Sequence, residues 1–294
     1  MTVAVGLTLQ PEPAYLELLA PRFAEVDYLE VTPETAWRRD AATGALGPNG
    51  FWREYLRIGE RHDKPFVAHA VHGSFGTAAA SDRPRQREWQ QMVAAMQAAF
   101  GFRWLTDHLG ASVLGDRGVA LPVALPMTDV AARLVRERLL SLQQVVPDVG
   151  VENSVFYFLL GDWLDEPRFL AELLSPPRTH LLLDLHNAWT MAQNVGADVD
   201  EYLARLDLSR VIEIHLSGGR DSPDGWLPDG RTLRLDSHDD AVPEAVWQLF
   251  ERVLPRCGNL RGVTLERMEG SVDEAAATVV GDELRRIREV MAHA

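Results

Sequence analysis

Eight short apolar segments, each followed by a stretch with helical spacing, constrain this chain more than any other feature of its sequence. They are Val3–Leu9, Tyr28–Val31, Phe66–Val71, Trp104–Leu109, Val149–Asn153, His180–His186, Val211–Leu216 and Gly262–Glu266. Their centres are rich in β-branched residues and Leu, as strands buried on both faces require. Between them apolar residues recur every three or four positions. Tyr15, Leu18, Leu19 and Phe23 form one stripe, and Trp89, Met92, Val93, Met96 and Phe100 a second. Val130, Leu134, Leu139 and Leu142 form a third, Val246, Phe250 and Val253 a fourth, and Leu284, Ile287 and Val290 close the chain. Such stripes read as core-facing helix surfaces rather than cofactor boxes. Eight strand–helix alternations fit an α/β fold, a single (β/α)8 TIM barrel over residues 1–294. An open doubly wound sheet would carry a Gly-rich phosphate loop after its first strand. Here that position reads Gln10-Pro11-Glu12-Pro13. The main irregular insertion, Gly218–Pro243, follows the seventh strand, where barrel enzymes place substrate contacts.

Composition narrows the partners. Asp and Glu number 43 against 29 Lys and Arg, a formal charge of −14. That balance argues against nucleic acid or an anionic membrane as main partner, since both need a basic face. No apolar run approaches the roughly 20 residues of a membrane span. The first residues read as a strand rather than a signal peptide, so a soluble cytoplasmic protein is expected. A single cysteine, Cys257, precludes an internal disulfide and a Cys-based zinc site. It lies in the approach to the last strand with no activating partner in sequence, and reads as a structural thiol.

The sharper signal is where the polar residues fall. Glu30 and Glu34 lie at the second strand, His69 and His72 in and after the third, and Asp107-His108 at the end of the fourth. Glu152-Asn153 ends the fifth, and Asp184, His186 and Asn187 end the sixth. His215 is near the end of the seventh, Glu266 near the end of the eighth, and Asp236-Ser237-His238 sits in the insertion. Parallel strands of a barrel bring these ends to one mouth, and buried charges need a partner or a metal. Asp107 next to His108 reads as a surface pair or a cap, because adjacent strand residues face opposite ways. His62, His180 and His293 fall outside the pattern and read as structural or exposed. His69, His108, Glu152, Asp184, His215, Asp236, His238 and Glu266 remain as candidate ligands, enough for two ions with bridging. Imidazole with carboxylate and no thiolate suits Fe, Mn, Zn or Co. Residue type alone leaves iron and O2 chemistry, zinc hydrolysis and manganese-dependent isomerisation open.

Taken in order, the motifs resemble one family. They are Tyr28-Leu29-Glu30-Val31 with Glu34, His69-Ala70-Val71 with Ser74 and Gly76, Asp107-His108-Leu109, and Glu152-Asn153 with Tyr157. Then come Leu183-Asp184-Leu185-His186-Asn187 with Asn194 and Asp198, and Glu213-Ile214-His215-Leu216-Ser217-Gly218. Asp236-Ser237-His238 with Val242-Pro243 and Trp247, and Leu265-Glu266-Arg267, complete the set. From Gly6-Leu7 to Arg267 the chain resembles the DUF692 family of multinuclear non-haem iron-dependent oxidative enzymes. The resemblance implies a TIM barrel holding two or three irons at the eight candidate ligands, with O2 as co-substrate. It implies a ribosomally synthesised precursor peptide as substrate, most often modified at cysteine, and in many members a small partner protein that recognises the leader. It also suggests Asn187 as an additional or weak ligand, and Glu34 and Ser74 as supporting or substrate-contacting residues.

Three positions depart from the family's frequent pattern. Asn194-Val195 stands where Asn-His is common, Ser217-Gly218-Gly219 where Ala-Gly-His is common, and Glu34-Thr35 where Glu-Asn is common. His72 and His186 are extra imidazoles at the same rim and candidates to compensate. The resulting expectation is an iron- and O2-dependent peptide-modifying oxidoreductase, acting at a cysteine or another side chain near the peptide's C-terminus. The alternatives are a redox-neutral divalent-metal barrel, such as a sugar isomerase or phosphodiesterase, and a catalytically silent binding subunit.

Overall fold

In the computed structural model, which describes residues 3–114 and 117–293, the eight apolar segments form one closed parallel barrel. Its strands are β1 (Ala4–Leu9), β2 (Tyr28–Val31), β3 (Phe66–Ala70), β4 (Leu105–His108), β5 (Val149–Glu152), β6 (Thr179–Asp184), β7 (Val211–Leu216) and β8 (Gly262–Leu265). They follow chain order round the barrel, and β1 closes it by pairing with both β2 and β8. Leu7 lies opposite Leu29 on one side and Leu265 on the other. The sixth strand ends at Asp184, two residues before the expected limit, so His186 is on the following helix and not on the strand.

The helices are α1 (Pro13–Leu18), α2 (Ala20–Glu25), α3 (Gly50–His62), α4 (Arg83–Phe100), α5 (Asp129–Leu142), α6 (Glu166–Leu173), α7 (Leu185–Val195), α8 (Val199–Arg205), α9 (Glu244–Val253) and α10 (Glu274–His293). Two expectations change. The first stripe is divided at Leu19, because Pro21 at the start of α2 has no N–H with which to continue α1. On α5 the buried face is Ala132, Val135, Leu139 and Leu142, while Val130 is 72% exposed. Alanine fills the inner face at the start of that helix. Side chains capture the helix starts that matter most: Thr128 Oγ1 accepts from Ala131 N, and Asp184 Oδ1 accepts from Asn187 N at 2.6 Å.

Two antiparallel hairpins flank the barrel, Trp37–Arg39 with Leu46–Pro48 after β2, and Ala111–Leu114 with Arg117–Val123 after β4. The insertion after β7 carries one isolated bridge, Asp221 to Arg234. Among the described residues no helix is long and apolar enough to cross a membrane.

Most of the apolar core lies between strands and helices. A second, smaller cluster of Tyr28, Val67, Trp104 and Ile212 fills the barrel itself. Tyr28 meets Trp104 edge-on at 5.5 Å. Its ring lies over two neighbouring strands where only glycine fits: a Cβ on Gly6 or Gly262 would come within 2.3 or 2.4 Å of it. Strand alternation then carries the mouth residues above this floor. Glu30 follows Tyr28 by two positions, His69 follows Val67, and Glu266 follows Thr264, so each shares a face with its predecessor. At the strand starts, the Asp148 carboxylate accepts from Arg178, His180 and Arg261 at 2.9 to 3.3 Å.

Candidate metal centre

Six of the eight candidate ligands converge in two groups that share a carboxylate. His69, His108 and Glu152 form the first, and Glu152, Asp184, His215 and Glu266 the second, with one donor atom from each residue within 4.8 Å of the others. Glu152 Oε2 lies 3.3 Å from His69 Nε2 and 3.1 Å from His108 Nε2. His215 Nδ1 lies 3.0 Å from Glu266 Oε2. Asp236 and His238 adjoin the second group: His238 Nε2 is 2.6 Å from Asp236 Oδ1 and 3.7 Å from Glu266 Oε2. These last two belong to no three-residue group among the described residues.

The donor atoms are buried and under-employed. Glu152 Oε2, Asp184 Oδ2, His215 Nδ1, Asp236 Oδ1, His238 Nε2 and Glu266 Oε2 are all buried and find no hydrogen-bond partner outside the eight candidate ligands; their short contacts are within that set. An unpaired buried polar atom costs about 1–3 kcal/mol, and more when charged. Six facing one another form a set that cations would satisfy together, and the His and carboxylate donors suit divalent first-row metals. The residues present therefore fit a metal centre of more than one ion.

In His69, Glu152, Asp184 and His215 the other polar atom is held by a neighbour, which fixes the direction of the one that faces the set. His69 Nδ1 meets Thr106 Oγ1 at 3.0 Å. Asn187 Nδ2 donates to Glu152 Oε1 at 3.1 Å, leaving Asn187 Oδ1 buried and unpaired. His215 Nε2 lies 3.0 Å from Glu30 Oε2 and 3.7 Å from Glu213 Oε1. Glu30 and Glu213 are absent from the eight candidates, yet with His215 they form a third cluster. Glu213 already accepts from Tyr28, Thr264 and Trp104 at 2.6 to 2.9 Å, so its oxygens are engaged with the barrel floor rather than free to face an ion. The signal for it was alternation: Glu213 precedes His215 by two on one strand.

Electrostatics follow from burial. Desolvation raises the carboxyls of Glu30 and Glu152 to about 7 and that of Asp184 well above its ordinary value. Burial lowers His69 and His108, so both are neutral donors at pH 7. For His215 and His238 burial acts in the same direction, but Glu30 and Glu266 outweigh it at His215, and Asp236 and Glu266 at His238. Burial likewise pushes Glu266 and Asp236 up, and the facing imidazoles more than offset it, holding both carboxyls below their ordinary range.

The remaining expected residues lie outside the two groups. Glu34 accepts from Trp89 Nε1 at 2.6 Å and His72 N at 3.0 Å, holding the loop after β3. Ser74 Oγ accepts from the backbone N–H of Ser112 and Val113 at 2.9 Å, tying that loop to the second hairpin. His72 lines a groove beside that hairpin with Glu34, Arg85 and Trp89. Asp107, expected at the surface, is buried; its Oδ1 accepts from His108 N at 2.8 Å, and its Oδ2 lies where a Cβ on Gly73 would be. His186 is fully buried, with Nδ1 3.7 Å from Asp236 Oδ1. A Cβ on Gly219 would lie 2.2 Å from Leu235 O and 3.1 Å from His186 Cε1, so His186 fills the space beside that glycine. Val195 is 39% exposed at the end of α7. His62 and His293 lie on helices, and His180 bonds Asp148, away from the mouth.

Fold and site together define a TIM-barrel protein with a buried carboxylate–imidazole centre able to hold metal ions. The chain belongs to the RiPP precursor modification enzyme MbnB/TglH/ChrH family, whose model matches residues 4–292. It is therefore an enzyme of that family. It is 32% identical over 281 residues to UPF0276 protein Anae109_1558 of Anaeromyxobacter sp. (strain Fw109-5), covering 94% of this chain and 92% of that protein. A UPF0276 protein of Caulobacter vibrioides (strain NA1000 / CB15N) is 30% identical over 258 residues, 86% of this chain and 83% of that one. Among solved structures, a xylose isomerase domain protein from Planctomyces limnophilus superposes with a TM-score of 0.63 over 100% of both chains at 12% identity. The IOLI protein with a binding zinc atom gives 0.60 at 13% identity over 99% of each chain. At those identities the likeness is one of fold.

Proposed function

We propose that this protein is a multinuclear non-haem iron enzyme that uses O2 to modify a ribosomally synthesised precursor peptide oxidatively, at a cysteine or another side chain near the peptide's C-terminus. The observation that carries the reading is the set of six buried donor atoms turned toward one another, with no partner outside the candidate ligands, at the mouth of a barrel of this family. His69, His108 and Glu152 would hold one ion, and Glu152, Asp184, His215 and Glu266 a second, with Asp236 and His238 beside them. When bound, the irons would supply the redox chemistry that no side chain here can. The chain's own part is positional. Thr106, Asn187 and Glu30 orient His69, Glu152 and His215 through their second polar atoms. His108 and His238 are the most exposed of the imidazoles in the set, at 19% and 14%, so a peptide side chain would approach from their side. A small leader-recognising partner protein and a cytoplasmic setting belong to the same reading.

The test is coexpression with a candidate precursor encoded beside the gene, followed by mass spectrometry of the peptide. An O2-dependent mass change, absent in His69→Ala, is expected. The carboxylate-rich second group also suits manganese or zinc in a redox-neutral reaction. Full activity with either metal in the absence of O2 would select that reading instead.

A further inference from the structure

Outside the barrel mouth, the flank between α4 and α5 carries a concentration of positive charge at odds with the −14 of the whole chain. A cavity of about 250 Å³ there is lined by Gly73, Phe75, Arg83, Arg87, Trp89 and Arg138 among others. Among the described residues, neither Arg83 nor Arg87 has a carboxylate within 4.0 Å, whereas neighbouring Arg85 is bonded to Asp82 at 2.6 and 2.8 Å. Asp82, buried nearby, also accepts from Gln86 at 2.6 Å, so its oxygens are already engaged. Arg138 gives Nη2 to the Thr77 carbonyl at 2.7 Å, and its Nη1 is buried with no acceptor. Burial disfavours the charge of Arg138 and, although Asp82 opposes this, Arg85 and Arg83 disfavour it further. Arg83 and Arg87 are exposed and cost little as they stand; the donor left without an acceptor is the buried Nη1 of Arg138, which an anion in the cavity would satisfy while neutralising the other two. Guanidinium forks match planar oxyanions two bonds at a time.

We propose that this cavity is an oxyanion-binding site, and that it takes a Glu or Asp side chain of the peptide substrate. The floor of the cavity favours a side-chain carboxylate over a free ion: it is formed by the edges of Phe75, Trp89 and Leu142, all nearly buried, which suit the methylene stem of a Glu or Asp better than a fully hydrated anion. The cavity also abuts the loop that leaves β3. Gly73 follows His69 by four residues, and Arg85 holds the His72 and Gly73 carbonyls at 2.7 and 3.2 Å. The assignment of a peptide rests on the proposed function; the oxyanion site does not.

Titration calorimetry on the purified protein tests it, with N-acetyl-Glu-Leu-Asp-Phe-amide, its Gln/Asn counterpart and inorganic phosphate as probes. The acidic peptide is expected to bind at one site, the neutral counterpart at least tenfold more weakly, and added salt to weaken only the former. Arg87→Gln and Arg138→Met should each reduce acidic-peptide affinity about fivefold or more, with metal content and circular dichroism unchanged. Because Arg138 also holds Thr77, Arg87→Gln decides the matter if the other variant folds poorly. Equal affinity for both peptides, or unchanged affinity in Arg87→Gln, overturns the site. Phosphate binding lost in Arg87→Gln without any peptide binding overturns the peptide occupant and leaves a free-oxyanion site. Precursor modification is scored separately in the same variants, so failure here with modification intact leaves the proposed function standing.

Discussion

His215 concentrates the logic of the site in one side chain. Its Nε2 faces Glu30 at 3.0 Å and its Nδ1 faces Glu266 at 3.0 Å, so the first contact decides what the second nitrogen can do. Replacing such a supporting carboxylate typically costs about 10–100-fold in metal affinity. Glu30→Gln is expected to lose its metal to a competing chelator correspondingly earlier than the wild type, as read by elemental analysis after dialysis. Unchanged retention would show that Glu30 only fills space. At this scale much of the site was legible. A His or carboxylate at a strand end is visible in sequence, and six such residues meet in shared groups. The role of Glu213 was not: in sequence it figures only as part of a motif, because it sits mid-strand among apolar residues and only its register with His215 exposes its part. Nor was the commitment of Ser74, whose two backbone donors, Ser112 and Val113, are distant in sequence.

At the scale of elements, the apolar strands announced themselves, since segments buried on both faces must be nearly continuous in Val, Ile and Leu. The hairpins did not. Trp37–Arg39 and Leu46–Pro48 have three residues each, and four of the six are Arg, Gly or Pro, too few apolar positions to show a period. The inner face of α5 was misplaced because Ala132 buries as completely as a larger residue yet leaves no hydrophobic signature. Glycine also hid its role: Gly6 and Gly262 look like strand weaknesses and are the space Tyr28 occupies. A methyl group at either must displace that ring. Gly262→Ala is expected to destabilise by about 1–3 kcal/mol or more, read from urea denaturation. A change below about 0.5 kcal/mol would mean that the barrel floor is softer than its geometry implies.

For the whole molecule, charge outside the site shapes stability with pH. Glu166 is buried at the start of α6, accepts from Tyr202 Oη at 2.6 Å, and is pushed by desolvation from 4.5 to about 7. The folded state therefore binds a proton that the unfolded state has released between those two values, and stability falls as pH rises through that window. The contribution is on the order of 3 kcal/mol. Glu166→Gln should flatten the pH dependence between pH 5 and pH 8 and gain stability relative to wild type at pH 8. An identical slope in both proteins would place the titration elsewhere. At the opposite extreme, burial pushes the Asp148 carboxyl up, but Arg178, His180 and Arg261 outweigh it and hold the group well below the ordinary range. Its contribution is present above the ordinary carboxylate pKa and is lost as acid protonates it. Asp148→Asn is expected to lower stability at pH 7 by about 1–3 kcal/mol, and by less near pH 3, in thermal melts.

On the proposed function, the mouth of this barrel holds redox-active metal rather than a structural or redox-neutral ion. Elemental analysis of anaerobically purified protein, paired with an activity assay with and without O2, distinguishes the two. The expected result is at least two irons per chain, lost together in Glu152→Gln because that carboxylate belongs to both groups, with peptide modification that requires O2. Stoichiometric zinc or manganese supporting full activity without O2 would contradict it.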